Sequence, residues 1–211
     1  MKKSLFKMKS QKMKTLCLDL DNTLIFSHQD VDTKSINLNK LKGRCEHIKI
    51  PDVLESMKKG EGNISNFLVV FRPHLSEFIE FSLKYFDQVV LWSAGRERYV
   101  RAIDFLILPN HKVPVLHFFD CVFKEDGTTF KELIKKNFDL ETTLIIDDRS
   151  DTMSKNKDNG ILIPVYNPNL SEKAILDQSD KSLLKIMKWL QRPEVVNCKD
   201  YRKLDKSKIF I

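Results

Sequence analysis

The sequence predicts an α/β protein with one central parallel sheet and helices on both of its faces. Short apolar runs recur at residues 15–20, 67–71, 88–92, 143–147 and 160–166, and they are apolar almost throughout, as strands covered on both faces are. Segments with apolar residues at helical spacing alternate with them. Three of the runs end in polar residues: Asp19 and Asp21, Ser93, and Asp147 and Asp148. In open parallel sheets the carboxyl ends of the strands are where ligands bind.

At 211 residues the chain is long enough for one domain with a sizeable core. A hydrophobic content of 42% and a charged content of 31% describe a globular chain rather than a disordered one. No apolar run approaches the ~18 residues that span a bilayer, so no membrane partner is expected. The first residues, MKKSLFKMKSQKMK, lack the apolar core, roughly 7–15 residues long, of a secretory signal. Residues 1–14 are read as a flexible basic arm. The four cysteines are far apart, with no CxxC pair. That disfavours zinc and disulfide frameworks and fits a reducing nucleus or cytoplasm. The net charge of +7 suits an anionic partner, nucleic acid among them, and equally a merely solvated lysine surface.

In chain order, residues 15–20 form the first strand. Residues 27–66 are polar, with Gly60 and Gly62 in a loop and only 47–50, HIKI, strand-like. This stretch is expected to be an insertion or small cap with no strong core of its own. Residues 67–71, FLVVF, read as the second strand. Arg72-Pro73 ends it, because proline cannot continue a ladder yet suits a helix start. Leu75, Phe78, Ile79, Ser82, Leu83 and Phe86 then fall at helical spacing. Residues 88–92 make a third strand, and Tyr99, Val100, Ile103, Leu106 and Ile107 mark a helix over 96–107. Within 113–130 the Asp126-Gly127 pair signals a hairpin. Residues 131–138 read as a short helix, and 143–147 and 160–166 as strands. Residues 171–191 read as a helix whose apolar stripe is Leu183, Leu184, Met187 and Leu190. The domain therefore covers 15–191, followed by a tail at 192–211.

The chemistry starts at TLCLDLDNTLIF, residues 15–26. Asp19 and Asp21 stand at i and i+2 of an extended segment and point to one side. Paired negative charge at the end of a buried strand calls for a cation, and hard Mg²⁺ takes carboxylates together with substrate phosphate oxygens. The pattern also fits a strand edge with solvated aspartates before a turn. Phosphoryl transfer needs an in-line nucleophile, charge neutralisation and a proton donor. Asp19 is the candidate nucleophile and Asp21 the general acid and base, its side chain kept off the metal while its backbone carbonyl can ligate. Asp147 and Asp148 would complete the Mg²⁺ shell. Ser93 would hydrogen-bond a phosphoryl oxygen, or else cap the following helix. Lys131 is the candidate cation, although it is one of many lysines. Thr23 reads as a local turn hydroxyl. The five histidines have no ligand spacing, and neither GxGxxG nor GxxxxGK[ST] occurs.

With those residues in place, LDLDNTL resembles the DxDxT signature of the haloacid dehalogenase (HAD) superfamily. FRPHLSEFIE, VVLWSAG, CVFKEDGTTFKEL and IIDDRSD follow in order. Together they resemble the FCP/SCP-type phosphatases, which act on phosphoserine in the C-terminal domain of RNA polymerase II. The likeness runs from about residue 14 to 191. It implies a HAD-like Rossmannoid three-layer sandwich, a small β insertion between the second and third motifs, and no large cap. It further implies Mg²⁺ held by Asp19, Asp21, Asp147 and Asp148, catalysis by Asp19, Asp21, Ser93 and Lys131, and substrate contacts from Thr23 and Arg149, unless Arg149 is structural. Ser93 stands where threonine is usual. Phe119-Asp120 replaces an arginine expected before the Cys-Val-Phe run, and residues 166–169 replace an aromatic-rich stretch. The function expected is Mg²⁺-dependent hydrolysis of phosphoserine or phosphothreonine on a protein tail through an aspartyl-phosphate. Alternatives are a phosphatase for nucleic-acid termini or a small metabolite, and a non-catalytic scaffold.

Overall fold

Parallel strands need a crossover connection, most often a helix, and four of the five runs named above assemble side by side in that way. The computed structural model describes residues 12–31, 36–51, 53 and 63–211. Its elements are β1 (Thr15–Leu18), β2 (Ile25–Gln29), β3 (Cys45–Pro51), β4 (Ile64–Phe71), α1 (Leu75–Tyr85), β5 (Gln88–Trp92), α2 (Glu97–Ile107), β6 (Val115–Leu116), β7 (Val122–Phe123), β8 (Thr129–Phe130), β9 (Thr143–Asp147), α3 (Ser150–Lys155), β10 (Gly160–Leu162), α4 (Glu172–Leu176), α5 (Ser182–Leu190) and α6 (Pro193–Val196). The central sheet is parallel throughout, in the order β10-β9-β1-β5-β6. β1 is buried on both faces: Leu16 and Leu18 enter the main core, while Cys17 packs with Val90, Trp92 and Ile145 on the other side. Leu18 pairs with Leu91 and with Ile146. That register brings Asp19, Ser93 and Asp147 to one end of the sheet.

The 67–71 run is not in this sheet. It belongs to β4, the middle strand of a three-stranded antiparallel sheet ordered β2-β4-β3. The reason it reads as a buried parallel strand is its double burial. Phe67 and Val69 face the main core, whereas Leu68 and Val70 face a second core with Leu41, Cys45, Tyr166 and Ile175. The described part of the 27–66 stretch, expected to be an insertion or small cap with no strong core of its own, thus shares a core with β4 through Leu41 and Cys45. The loop placed at Gly60 and Gly62 lies outside the described residues, as do residues 1–11 of the basic arm. At the arm's end, Lys12 pairs with Asp139 and Glu141, and the Lys14 backbone N–H donates to Asp87 at 2.7 Å.

The hairpin is β7–β8, with Gly127 in the left-handed region at φ 80°. It supplies the small β insertion between Ser93 and Lys131. Residues 131–138 form only a 3₁₀ turn, stopped by Asn137 at φ 57°. The single helix expected over 171–191 divides into α4 and α5. The Asp177 and Asp180 side chains accept the backbone N–H groups of Ser179 and Ser182 at 2.9 and 2.8 Å, a local alternative to helix that aspartate readily offers. The tail at 192–211 is docked: Val195, Tyr201 and Ile209 are buried in the main core. Among the described residues, the three-stranded sheet and the hairpin are the only additions to the parallel sheet and its helices.

Candidate active site

The site forms at the carboxyl ends of β1, β5 and β9. After Asp19 the chain turns tightly, with Asn22 at φ 59° and the Leu24 N–H donating to the Leu20 carbonyl at 2.8 Å. Asparagine tolerates that left-handed geometry better than most residues. The turn separates two neighbouring carboxylates. Asp19 stays at the strand end, buried, and accepts a hydrogen bond from Lys131 Nζ. The same ammonium donates to Asp147 Oδ2 at 2.6 Å. Asp21 swings to the other side, where its Oδ1 accepts from the Tyr99 hydroxyl and from Ser27 Oγ, the latter at 3.0 Å.

Lys131 is 2% exposed and Asp147 is fully buried, so each charge depends on the other for neutralisation. Burial works against the ammonium form of Lys131, but Asp19 and Asp147 outweigh it and raise its pKa. Burial pushes the Asp19 carboxyl well above the usual carboxylate range; the Lys131 charge opposes this, and Asp147 adds to it. Burial likewise raises Asp21, against the hydrogen bonds from Tyr99 and Ser27. Asp148 is half-buried, and burial together with Asp147 raises it too. Oxygens of Asp19, Asp147 and Asp148 lie within 4.8 Å of one another. The Asp21 carboxylate is not among that group.

Ser93 is buried, with its hydroxyl 3.5 Å from Asp21 Oδ2 and accepting the Gly95 N–H at 3.0 Å. It does not cap α2, whose N-cap is Arg96. Thr23 Oγ1 reaches Asp148 Oδ1 at 3.5 Å. Arg149 divides its groups. Its backbone N–H donates to Asp147 Oδ1 at 2.8 Å, while its guanidinium ties the Thr129 carbonyl to Asp151.

Sequence reasoning passed over four supporting residues. Asn156 brackets Lys131: its Nδ2 donates to the Lys131 carbonyl and its Oδ1 accepts the Leu133 N–H, both at 2.9 Å. Arg72, fully buried, donates to the Thr23 and Pro164 carbonyls and to Asp180 at 2.9, 2.7 and 2.9 Å. Its place before a proline and the likeness of FRPHLSEFIE to the family pattern pointed to the position, but not to what the side chain does there. Tyr99 was visible merely as an apolar position of α2, and Ser27 as one polar residue in a polar stretch.

Residues 14–202 match the family described as NLI interacting factor-like phosphatase. Among curated relatives, the CTD small phosphatase-like protein 2 of Dictyostelium discoideum is 29% identical over 141 residues, covering 66% of this chain and 23% of that protein. The chain thus spans under a quarter of that relative's length. The CTD nuclear envelope phosphatase 1 of Xenopus tropicalis is 29% identical over 168 residues, covering 79% of this chain and 64% of that one. In fold, the chain is similar to the fission yeast RNA polymerase II CTD phosphatase Fcp1-R271A bound to beryllium fluoride. The TM-score is 0.58 at 21% identity, over 85% of this chain and 52% of that one. With the paired strand-end aspartates, the buried lysine and a family match over most of its length, this chain belongs to the NLI interacting factor-like phosphatases, the FCP/SCP type of the HAD superfamily.

Proposed function

We propose that the protein is a Mg²⁺-dependent phosphatase that removes phosphate from phosphoserine and phosphothreonine on a protein tail. The observation carrying this reading is the divergence of two neighbouring aspartates: Asp19 lies in a buried ion pair with Lys131, and Asp21 is turned to hydroxyl donors. A bond forms between an Asp19 carboxylate oxygen and phosphorus as the bond to the ester oxygen breaks. The electron pair leaves with the serine or threonine oxygen, which takes the proton of Asp21. Asp21 then accepts a proton from the water that cleaves the aspartyl-phosphate, regenerating Asp19. The raised pKa of Asp21 supports a group that is protonated when needed as an acid. Lys131 offsets negative charge beside the phosphoryl, and Ser93 offers it a hydroxyl. Thr23 and Arg149 border the substrate through Asp148 and the β7–β8 hairpin.

The carboxylates of Asp19, Asp147 and Asp148 fit Mg²⁺. They are hard oxygen donors within 4.8 Å of one another, and one ammonium cannot neutralise all three. With the Asp21 carbonyl they would hold the ion, which when bound neutralises charge on the phosphoryl oxygens. The free thiols of Cys17, Cys45, Cys121 and Cys198 support a reducing compartment, nucleus or cytoplasm. Among the described residues no helix is long and apolar enough to cross a membrane. The relatives named as CTD phosphatases favour a tail of the polymerase C-terminal-domain kind.

The test is a magnesium-dependent assay with phosphoserine peptides spanning polymerase-tail repeats, beside 3′- and 5′-phosphorylated oligonucleotides. Peptide turnover that disappears in Asp19→Asn is expected. Preference for the oligonucleotides overturns the substrate class, and full activity in Asp19→Asn overturns the covalent mechanism.

A further inference from the structure

Asp21 has two oxygens, and the fold treats them differently. Oδ1 accepts the Tyr99 hydroxyl and Ser27 Oγ, the latter at 3.0 Å, and those two hydroxyls are themselves 2.6 Å apart. Oδ2 faces the other way, 3.5 Å from Ser93 Oγ. Each hydroxyl carries a single proton, so the two protons of Tyr99 and Ser27 tie Oδ1 into a three-oxygen cluster while Oδ2 is left toward Ser93. We propose that Tyr99, assisted by Ser27, is a positioning residue that holds the Asp21 carboxyl with Oδ2 turned to the Ser93 side, oriented for proton transfer. This rests on the phosphatase reading above.

The construction around Tyr99 holds its hydroxyl in one place. The residue is 6% exposed on the first turn of α2, with its ring 5.3 Å from that of Phe67. Gly95 leaves room for the ring: a Cβ there would stand 2.7 Å from Tyr99 Cδ1 and 3.2 Å from Ser93 Oγ. The residue that seats the phenol thus adjoins the loop that carries Ser93. Ser27, in β2, comes from the separate antiparallel sheet. Two elements outside the parallel sheet therefore converge on one oxygen of Asp21, which a side chain needing only ordinary solvation would not require.

In the step concerned, the O–H bond of the Asp21 carboxyl breaks as its proton moves to the departing ester oxygen, while phosphorus passes from that oxygen to Asp19. How much the proton matters depends on the leaving group. A serine alkoxide needs it; p-nitrophenolate, a far weaker base, barely does. Because kcat/KM reports events up to departure of the leaving group, it isolates this step from later hydrolysis.

The experiment compares kcat/KM for a phosphoserine peptide and for p-nitrophenyl phosphate in wild type, Tyr99→Phe and Ser27→Ala. Tyr99→Phe keeps the ring on Phe67. It is expected to lower the peptide value about tenfold or more relative to the aryl phosphate, a part of the roughly 10²–10⁴ that a general acid supplies. Ser27→Ala should move the ratio the same way by less. An equal fall for both substrates, or an unmoved ratio in both variants, overturns the inference while leaving the phosphatase reading intact. A wild-type protein that hydrolyses neither substrate overturns both.

Discussion

Lys131 stands between two buried carboxylates, and its removal leaves their charge uncompensated. Lys131→Met in EDTA is expected to lose about 3–5 kcal/mol of unfolding free energy in urea titration. Added Mg²⁺ should restore part of it, since a divalent cation neutralises the same oxygens. An unchanged urea midpoint would show the pair to be inert. Asp19 supplies a pH dependence. Its carboxyl is raised from an ordinary value of 3.8 by burial, so across the intervening pH range the folded state binds more protons than the unfolded one. Its contribution to stability is present below about pH 4 and is lost as pH rises through the folded pKa. Without metal, wild type should therefore lose thermal stability relative to Asp19→Asn as pH rises from acid through neutral, and parallel Tm curves would contradict this. The paired aspartates were legible because they close an apolar run, but they do not share a side as i and i+2 spacing in a strand predicts: β1 ends at Leu18, and the turn at Asn22 sends Asp21 to Tyr99 and Ser27 and leaves Asp19 on Lys131. Lys131 was not legible, being one of 36 Lys and Arg residues whose burial no local pattern encodes; only the family likeness singled it out. Tyr99 was hidden by doing two things at once, filling a helical apolar position and presenting a hydroxyl at its far end.

At the scale of elements, Arg72 joins three segments distant in sequence: the turn after β1, the strand end at Pro164, and the α4–α5 linker at Asp180. Its guanidinium also lies 5.4 Å from the Tyr166 ring centroid. Arg72→Met would strand two carbonyls and leave Asp180 without its ion-pair partner. The expected loss is about 3–5 kcal/mol, accompanied by weaker turnover because Thr23 and its turn lose their anchor. Asp180→Asn, which keeps the guanidinium and an acceptor, should cost markedly less; equal losses would mean that the ion pair, not the carbonyl contacts, dominates. The same region explains what periodicity could not read. β4 looked like a strand of the parallel sheet because both of its faces are apolar, and burial on two faces says nothing about strand direction. The helix over 171–191 looked continuous because its breaks are backbone N–H groups of Ser179 and Ser182 donating to the Asp177 and Asp180 side chains, which leave the apolar stripe intact. The strands ending at Asp19, Ser93 and Asp147 were readable because each carries its chemistry at a boundary between apolar and polar residues.

At the scale of the whole molecule, the sequence of the last twenty residues reads as a tail, since Val195, Tyr201 and Ile209 are too widely spaced to form a pattern. Each nevertheless enters the main core. The Tyr201 N–H donates to the Glu141 carbonyl at 2.7 Å, and Trp189 Nε1 to the Asp205 carbonyl at 3.2 Å. The segment thereby braces α5 and the loop leading into β9, the strand that carries Asp147. Burying three such side chains contributes roughly 1.5–3 kcal/mol each, before the ordering entropy of the segment is subtracted. Against a total stability of about 5–15 kcal/mol for a typical domain, that is a large share. A protein ending at residue 191 is therefore expected to unfold at much lower urea concentration, or to lose its cooperative transition and bind a hydrophobic dye. Its activity toward p-nitrophenyl phosphate should fall with the folded fraction, because β9 loses its brace while Asp19 and Lys131 are untouched. A truncated protein with the wild-type urea midpoint would show that these residues merely rest on the core, and the three point variants Val195→Ala, Tyr201→Ala and Ile209→Ala would then be silent as well.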